Sequence, residues 1–521
     1  MNMKGLEDKV GEVINAKVSF GIEVKLSKNS EEIKIGYPIM VEGNNFDYFC
    51  IIGDIYHRTS PIIESIANSL MAEDIIPATN TEGVRGKPFY SIAKLNCVQI
   101  VDKHEEDISN FETIPPFFAK ARHTTQDDVN KVYHESPQSG SVGTLRGIDF
   151  HIPIDFEELT SKPFGLFGRT GSGKSILNKI ICGVILKLKV ANVLVFDMQS
   201  EYGWRSRADQ TAGLKFFFED RIKLVTIDKE MCKDADEELI ISRSRIKPED
   251  IIFAFPDLTQ LMQDAIYHID HKKQKGQSLI DAIENADPED PPEKIHPGTL
   301  LGLQGRIKRL QRFTFVKNVE RKDSLERIVK LITEANNSIV IDFGKFGTDL
   351  GSYMFLANIL TRRLYEIYGQ QTQKSRLPRL VVFLEEAHKF ISPKLAGATL
   401  FDRLAREMRK FGLTLALVDQ RPSQIDDEIL SQLANRFILS LHNPKDIDAA
   451  LTGTSDPSNW KQIVRAVEKR TTLVFGDAIK IPTVIDVEFY SDENMIKKFN
   501  VDPTSAKIKK LDKEKVKKIF D

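Results

Sequence analysis

The sequence predicts an α/β protein with a parallel central sheet and a small all-β domain before it. Three observations lead to this fold class. Short β-branched runs separated by Gly, Asn and Ser fill the first hundred residues. From about residue 150, apolar strands alternate with helical runs, a pattern typical of parallel sheets. Residues 230–335 are mostly helical in pattern, which indicates an insertion between two strands of that sheet.

Composition limits the kinds of protein that this chain can be. Its 521 residues exceed the usual size of one domain, and 41% of them are hydrophobic, enough for a substantial core. The formal net charge of −2 provides no general attraction to nucleic acid, so any such contact must come from local basic loops. We expect a cytoplasmic protein, because no apolar run approaches the roughly 18 residues of a membrane span. The four cysteines lack metal-ligand spacing and are expected to be reduced and structural.

The same patterns set the expected domain boundaries. We expect a small β-barrel over residues 1–102, a connector over 103–149, and an α/β core over 150–229 and 336–490 with the helical insertion between its halves. Residues 491–521 are lysine-rich. They are either a docking arm or a solvated tail, because short isolated helices are marginally stable.

A glycine-rich loop, GRTGSGKS, connects the first strand of the core to a helical run. Its glycines let the backbone turn tightly, so that successive N–H groups face a β- or γ-phosphate. The lysine adds a positive charge, and the hydroxyl of Ser175 is a ligand for Mg²⁺. The residues expected to bind the nucleotide are Gly168, Arg169, Thr170, Gly171, Ser172, Gly173, Lys174, Ser175 and Ile176.

Two adjacent carboxylates follow the apolar strand at 380–384. Glu385, at the strand end, is expected to hold Mg²⁺ through its hydration shell. Glu386 is expected to orient or deprotonate the attacking water. His388, shortly after the pair, either senses the state of the nucleotide or is a structural histidine.

A third group of polar residues lies around the strand at 413–418. Gln420, beyond the end of that strand, is expected to hydrogen-bond the γ-phosphate or its attacking water. Arg406 and Arg409 share one helical face, and Arg436 begins the next strand. Each arginine is a candidate to stabilise transition-state charge in a neighbouring subunit, and a surface ion pair is the alternative for each.

Two acidic residues follow the strand at 193–196. Asp197 ends that strand and Glu201 lies four residues further on. They either join the polar network of the nucleotide site or cap a turn.

Together these motifs resemble the HerA-like translocases of the HerA/FtsK group of P-loop ATPases. The resemblance rests on GRTGSGKS, FDMQSEY, FLEEAH and AREMRKFGLTLALVDQRPS, and it covers most of the chain. It implies a RecA-like P-loop NTPase core behind a β-barrel of the HAS type. It further implies a homohexameric ring that hydrolyses ATP with Mg²⁺ and moves double-stranded DNA through its pore. In that family a trans-acting arginine comes from the region matched by Arg409, and Lys162 matches a basic residue before the first core strand.

Two residues depart from the family pattern. Glu385 stands where many P-loop motors have Asp, and its longer side chain alters the geometry at Mg²⁺. Asp419 replaces a small residue often found before the glutamine at 420.

The resemblance also bears on partners and on the biological role. No nuclease motif is evident in the sequence, so processing of DNA ends in repair or anti-phage defence requires a partner nuclease. That partner is of the NurA type in many relatives, or a Sir2-like or other defence effector. The alternative class is a P-loop ATPase that acts as a regulatory or assembly switch, or as a protein or conjugation motor, without moving DNA.

Two basic segments are candidates for the DNA contact. One is Arg306–Arg312 in the helical insertion, and the other is Lys389–Lys394 just after the acid pair. We expect the second to contact DNA, because a mobile loop next to Glu386 can move as the nucleotide is hydrolysed. An ordinary solvated loop is the alternative.

Overall fold

The structure is a computed structural model. The residues that it describes are 9–27, 29–59, 89–104, 108–109, 111–255, 257–319, 324–371, 376–393, 400–454 and 457–501. Within these residues, none of the helices combines the length and the apolar character needed to span a membrane.

The N-terminal domain is a closed antiparallel barrel. Its strands are β1 (Lys9–Lys17), β2 (Gly21–Leu26), β3 (Pro38–Glu42), β4 (Phe46–Thr59), β5 (Phe89–Asp102), the short β6 (Ile108–Ser109) and β7 (Lys120–His123). The order is β2-β1-β7-β3-β4-β5-β6, and a further pairing of β2 with β5 closes six of these strands into a barrel. The predicted small barrel is thereby confirmed.

The barrel extends past the predicted boundary at residue 102. Strand β7 lies within the expected connector and pairs with both β1 and β3. Without it, both of those strands would have an unpaired edge. The segment Lys120–His123 is short and polar, so it lacks the apolar alternation by which a strand is recognised in a sequence.

The rest of the expected connector joins the barrel to the core. Its elements are α1 (Gln126–Val132), β8 (Ser139–Gly140), β9 (Gly143–Leu145), β10 (Ile154–Asp155) and α2 (Phe156–Ser161). Tyr133 links the two domains: its ring lies 6.0 Å from that of Phe49 in the barrel, and its hydroxyl hydrogen-bonds that of Thr483 in the core at 2.8 Å.

The core is an eleven-stranded sheet. Besides β9, its strands are β11 (Phe164–Phe167), β12 (Asn192–Asp197), β13 (Ile222–Thr226), β14 (Glu237–Glu238), β17 (Ser338–Asp342), β18 (Leu380–Glu385), β19 (Leu413–Asp419), β20 (Asn435–Ile438), β21 (Thr471–Gly476) and β22 (Ile479–Val487). The remaining strands, β15 (Ile241–Ser242) and β16 (Val316–Lys317), form a separate two-stranded sheet. The order is β14-β13-β17-β12-β18-β19-β11-β20-β21-β22-β9, parallel from β14 to β20.

Helices cover this sheet and form the insertion. They are α3 (Lys174–Leu188), α4 (Leu214–Phe217), α5 (Pro248–Ala254), α6 (Gln260–Lys272), α7 (Leu279–Glu284), α8 (Pro297–Ile307), α9 (Leu325–Thr333), α10 (Leu350–Gly369), α11 (Leu400–Glu407), α12 (Asp427–Gln432), α13 (Pro444–Ala450), α14 (Pro457–Ala466) and α15 (Asp492–Phe499). The insertion packs back on the core, since Phe313 lies 5.4 Å from Phe355 of α10 between ring centroids.

The strand register brings one end of the sheet together. Phe167, the last residue of β11, pairs with Asp419 on one side and with Ile438 on the other. Glu385 pairs with Val418 of β19. The segments that follow β11, β18 and β19 therefore leave the sheet at the same edge, the usual place for a ligand in a parallel sheet.

Close packing between α3 and α15 generates a stability prediction. A Cβ added to Gly183 would lie 2.2 Å from the Phe499 ring, which is packed at 5.3 Å against Phe217. Gly183→Ala should therefore lower the free energy of unfolding by about 1–3 kcal/mol. Gly305→Ala in α8 is the matched control, because no atom lies within 4 Å of its added Cβ. Calorimetry should show a lower melting temperature for the first variant alone, and equal melting temperatures would contradict this packing.

Candidate nucleotide-binding site

Backbone hydrogen bonds hold the glycine-rich loop between the ends of β19 and β20, the two strands that flank β11. The N–H of Gly168 donates to the Asp419 carbonyl at 3.2 Å, and that of Arg169 donates to the Ser440 carbonyl at 2.9 Å. Gly171 and Gly173 have φ angles of 77° and 108°, in the left-handed region that favours glycine. The loop and the first turn of α3 thus present backbone N–H groups at a helix N-terminus, an arrangement suited to a phosphate chain.

Lys174 begins α3 and folds back over this loop. Its ammonium group donates to the carbonyls of Gly168 and Arg169. Burial lowers the pKa of Lys174, while the carboxylates of Glu386, Asp419 and Glu385 oppose that shift. The lysine therefore sits between the loop and the acidic residues, where a β- or γ-phosphate needs a positive charge.

Glu385 ends β18 beneath the loop. Burial of its carboxyl group, reinforced by Asp197, raises the pKa of Glu385 to about 8. The hydroxyl of Tyr202 donates to this carboxyl group at 2.8 Å, and Tyr353 donates to the backbone carbonyl of Glu385 at 2.9 Å. In the described part of the chain Glu385 forms no direct ion pair, and the Lys174 ammonium only partly offsets the effect of its burial.

This acid and Ser175 fit a Mg²⁺ ion. Mg²⁺ in nucleotide sites takes one or two protein oxygens and completes its shell with phosphate oxygens and water. A partly buried carboxyl group, together with a hydroxyl at the start of α3, supplies those oxygens. No cluster of three or more His, Cys, Asp or Glu side chains suited to a metal occurs among the described residues.

Tyr202 is a site residue that the sequence reasoning missed. The carboxylate of Asp197 accepts hydrogen bonds from the N–H groups of Glu201 (2.9 Å) and Tyr202 (2.8 Å), which favours turn capping over direct contact with a nucleotide. Burial raises the pKa of Asp197 to about 7. Asn178 of α3 donates to the Tyr202 hydroxyl at 2.7 Å, so the turn fixes Tyr202 between α3 and Glu385. The signal was present in FDMQSEY, but nothing in the spacing singled out its tyrosine.

Gln420 bridges the phosphate loop and Glu386. Its amide nitrogen donates to both carboxylate oxygens of Glu386 at 3.2 and 3.3 Å, and its amide oxygen accepts from the Thr170 hydroxyl at 2.6 Å. Glu386 is exposed and has a φ of 52°, a backbone conformation costly for a residue other than glycine. The turn after β18 therefore directs Glu386 outward at the loop, while Glu385 points into the fold.

His388 has a structural environment. Its backbone N–H donates to the Asp419 carboxylate at 2.7 Å, and its Nδ1 lies 2.9 Å from the same group. Both residues are buried, and Asp419 also accepts from the N–H of Arg421. This pair ties the turn after β18 to the end of β19, and thus fixes Glu386 relative to Gln420.

Arg436 does not reach the surface, contrary to the sequence prediction. Only 1% of it is exposed, and its guanidinium donates to the backbone carbonyls of Leu430 and Ala450. Burial lowers the pKa of Arg436 to about 10. Packing between β20 and the helices beside it, which no sequence pattern reveals, gives this arginine a structural role.

Two other predicted basic residues, Arg409 and Lys162, lie before the amino ends of β19 and β11. Arg406 forms an ion pair with Glu428, whereas Arg409 is exposed and has no side-chain partner among the described residues. Lys162 pairs with Asp477 at 2.6 Å before β11. Arg409 lies before the amino end of β19, and the phosphate loop lies at the carboxyl end of that strand. The seven residues of β19 span about 23 Å, so Arg409 cannot act on its own subunit's nucleotide.

The two basic segments differ in their surroundings. Arg306 and Arg309 both contact Asp257, at 3.2 and 3.6 Å, which reduces their availability to DNA phosphates. Lys389 is exposed in the turn after Glu386, and Lys394 lies outside the described residues.

The raised pKa of Glu385 generates a prediction on stability. The folded protein without Mg²⁺ holds a proton that the unfolded chain releases above its usual pKa of 4.5. The free energy of unfolding should therefore fall as pH rises from 4.5 to about 8. With a chelator present, Glu385→Gln should weaken this dependence of the melting temperature on pH. Glu386→Gln is the control and should keep most of the wild-type slope, because burial and Asp197 raise the pKa of Glu385 more than Glu386 does. An unchanged slope in Glu385→Gln would contradict the burial of this acid.

Comparison with known proteins finds a family model, relatives and a solved structure that are similar to this chain. Residues 141–364 match the family model described as Helicase HerA, central domain. The chain is 25% identical to the DNA double-strand break repair helicase HerA of Sulfurisphaera tokodaii, over 94% of this chain and 96% of that protein. It is 22% identical to the protein of the same name from Saccharolobus solfataricus, over 92% and 93%. The solved structure of VirB4 of Thermoanaerobacter pseudethanolicus gives a TM-score of 0.46 at 14% identity, covering 69% of this chain and 98% of that one. Residues 141–364 therefore contain the HerA central domain, and the chain is similar to HerA helicases over most of its length.

Proposed function

We propose that this chain is an ATP-driven translocase of double-stranded DNA that works as a homohexameric ring. The observation that carries the proposal is the Thr170–Gln420–Glu386 network, which connects the phosphate loop to an exposed carboxylate. A carboxylate in that place serves hydrolysis, because a protein that only binds nucleotide has no need to position an attacking water.

The residues divide the chemistry among them. Lys174 and the loop N–H groups bind the phosphates, and Glu386 orients the attacking water and accepts its proton. Gln420, between the loop and Glu386, detects whether the γ-phosphate is in place. Ser175 and Glu385 would hold Mg²⁺, which would supply positive charge against the phosphates. Tyr202 holds Glu385 in position for this role.

Similarity to the named repair helicases supports DNA as the substrate. We propose a partner nuclease, of the NurA type or a Sir2-like or other defence effector, for DNA end processing in repair or defence. Double-stranded DNA should raise ATP turnover if this is correct. Turnover that ignores DNA but responds to a protein partner would instead favour a switch or a protein motor.

Mutations should distinguish the residue that binds the phosphates from the residue that activates the attacking water. Glu386→Gln should bind ATP with near wild-type affinity and lose turnover by about two orders of magnitude or more, because only water activation is removed. Lys174→Ala should lose nucleotide binding itself. Isothermal titration together with a phosphate-release assay distinguishes these outcomes. Near wild-type hydrolysis by Glu386→Gln would remove Glu386 from the catalytic role.

Mixing two variant protomers tests whether Arg409 acts on the nucleotide site of a neighbouring subunit. Because Arg409 lies at the opposite end of β19 from the phosphate loop of its own subunit, it can assist only the nucleotide site of a neighbouring subunit. Arg409→Ala protomers keep an intact loop, and Lys174→Ala protomers keep Arg409, so mixed rings should recover part of the ATPase activity that each variant lacks alone. Arg406→Ala, which removes a residue that is ion-paired with Glu428, is the next variant to mix if Arg409→Ala shows no recovery. Verified mixed rings without recovery would assign Arg409 a structural role.

The loop after Glu386 should carry the DNA contact. Lys389→Ala combined with Lys394→Ala should abolish stimulation by DNA and leave basal hydrolysis unchanged. The slope of log affinity against log salt should become shallower by about 0.9 for each DNA phosphate that the protein no longer neutralises. Lys275→Ala, an exposed lysine of the insertion, is the control. An unchanged slope in the double variant would place the DNA-binding residues elsewhere, with Arg306–Arg312 as the next segment to test.

A further inference from the structure

An exposed aromatic ring lies near the phosphate loop, on the side away from Glu386. Phe489 follows β22 and leaves 60% of its surface exposed. The guanidinium of Arg470, just before β21, lies 5.0 Å from the centre of the Phe489 ring. These two side chains, the cation over the aromatic ring, are here termed the Arg470–Phe489 face.

The backbone ties this face to the loop. The N–H of Arg470 donates to the Ser172 carbonyl at 3.0 Å, and the N–H of Val487 donates to the Arg470 carbonyl at 2.7 Å. A Cβ on Gly173 would lie 3.6 Å from Cγ of Arg470. Arg470 has a φ of 69°, a left-handed conformation that costs energy for a residue other than glycine. These hydrogen bonds and this backbone conformation place the side chain of Arg470 directly beside the phosphate loop.

Strand order indicates which part of a nucleotide this face meets. Strands β18 and β19, which carry Glu386 and Gln420, lie on one side of β11, whereas β20 and β21 lie on the other. The γ-phosphate must point toward Glu386 and Gln420, because these residues act on the attacking water. The phosphate chain then crosses the loop, and the nucleoside leaves on the side of β20 and β21, where Arg470 and Phe489 lie.

The chemistry of the face suits a planar heterocycle. Bases stack on aromatic rings, and an arginine over the same ring adds a cation–π contribution. Among the described residues the Arg470 guanidinium has no carboxylate partner, so it is available to a ligand. We propose that Arg470 and Phe489 form the base-binding surface of the nucleotide site and hold a purine ring, such as the adenine of ATP, by stacking. This inference deepens the proposed function and rests on it, because it requires a nucleoside triphosphate in the loop.

Stacking recognises the flat surface of a base more than its hydrogen-bonding edge. The site therefore binds ATP and GTP with similar affinity, and it binds CTP, with its smaller ring, more weakly. The phosphates alone are held by the loop and do not contact Phe489.

The test compares a nucleotide with its phosphates alone. Isothermal titration of the full chain is performed with a non-hydrolysable ATP analogue and with inorganic tripolyphosphate, both in the presence of Mg²⁺. Phe489→Ala should weaken binding of the analogue about tenfold and leave tripolyphosphate binding unchanged. Phe489→Tyr should retain wild-type affinity. Phe117→Ala, which removes a ring that is 71% exposed on the barrel, is the matched control and should change neither affinity.

Three results would overturn the inference. Unchanged analogue affinity in Phe489→Ala would place the base elsewhere. An equal loss of analogue and tripolyphosphate affinity would show that Phe489 supports the loop. A smaller assembly of the Phe489→Ala variant on size-exclusion chromatography would show that the Phe489 side chain contacts a neighbouring subunit. If the wild-type chain binds neither ligand, the proposed function itself fails, and this inference fails with it.

Discussion

The hydrogen-bonded register of the parallel strands is the constraint on which the site depends. Because β11 pairs with β19, and β19 pairs with β18, the loop, Gln420 and the acid pair leave the sheet at one edge. The strands themselves are buried and apolar, as expected for a sheet covered on both faces. A shift in register would separate Gln420 from both Thr170 and Glu386, and the network between loop and carboxylate would be broken.

Burial then places the two adjacent acids in different environments. Glu385 continues the strand into the interior, where Tyr202 hydrogen-bonds it and burial raises its pKa. Glu386 turns outward through a left-handed backbone conformation and remains exposed. The buried His388–Asp419 pair holds that turn in place. In the proposed mechanism Glu385 holds the metal ion and Glu386 orients the water molecule, although the two acids are neighbours in sequence.

The sequence predicted the parts of this site that follow from local patterns. A glycine-rich loop, a strand ending in acids and a glutamine after the next strand each follow from a few consecutive residues. Contacts between distant segments could not be predicted in this way. The burial of Arg436, the hydrogen bond from Tyr202 to Glu385 and the role of Asp419 depend on packing between elements far apart in the chain. Strand β7 was missed for the related reason that barrel closure, and not its own polarity, makes it a strand.

Hydrolysis at this edge is proposed to drive movement along duplex DNA. Displacement of a third strand from a DNA triplex tests it most directly, because a protein that moves along the duplex removes that strand without unwinding the duplex. We expect ATP-dependent displacement by the wild-type chain and none by Glu386→Gln at equal DNA occupancy. ATP hydrolysis stimulated by DNA without any displacement would contradict it.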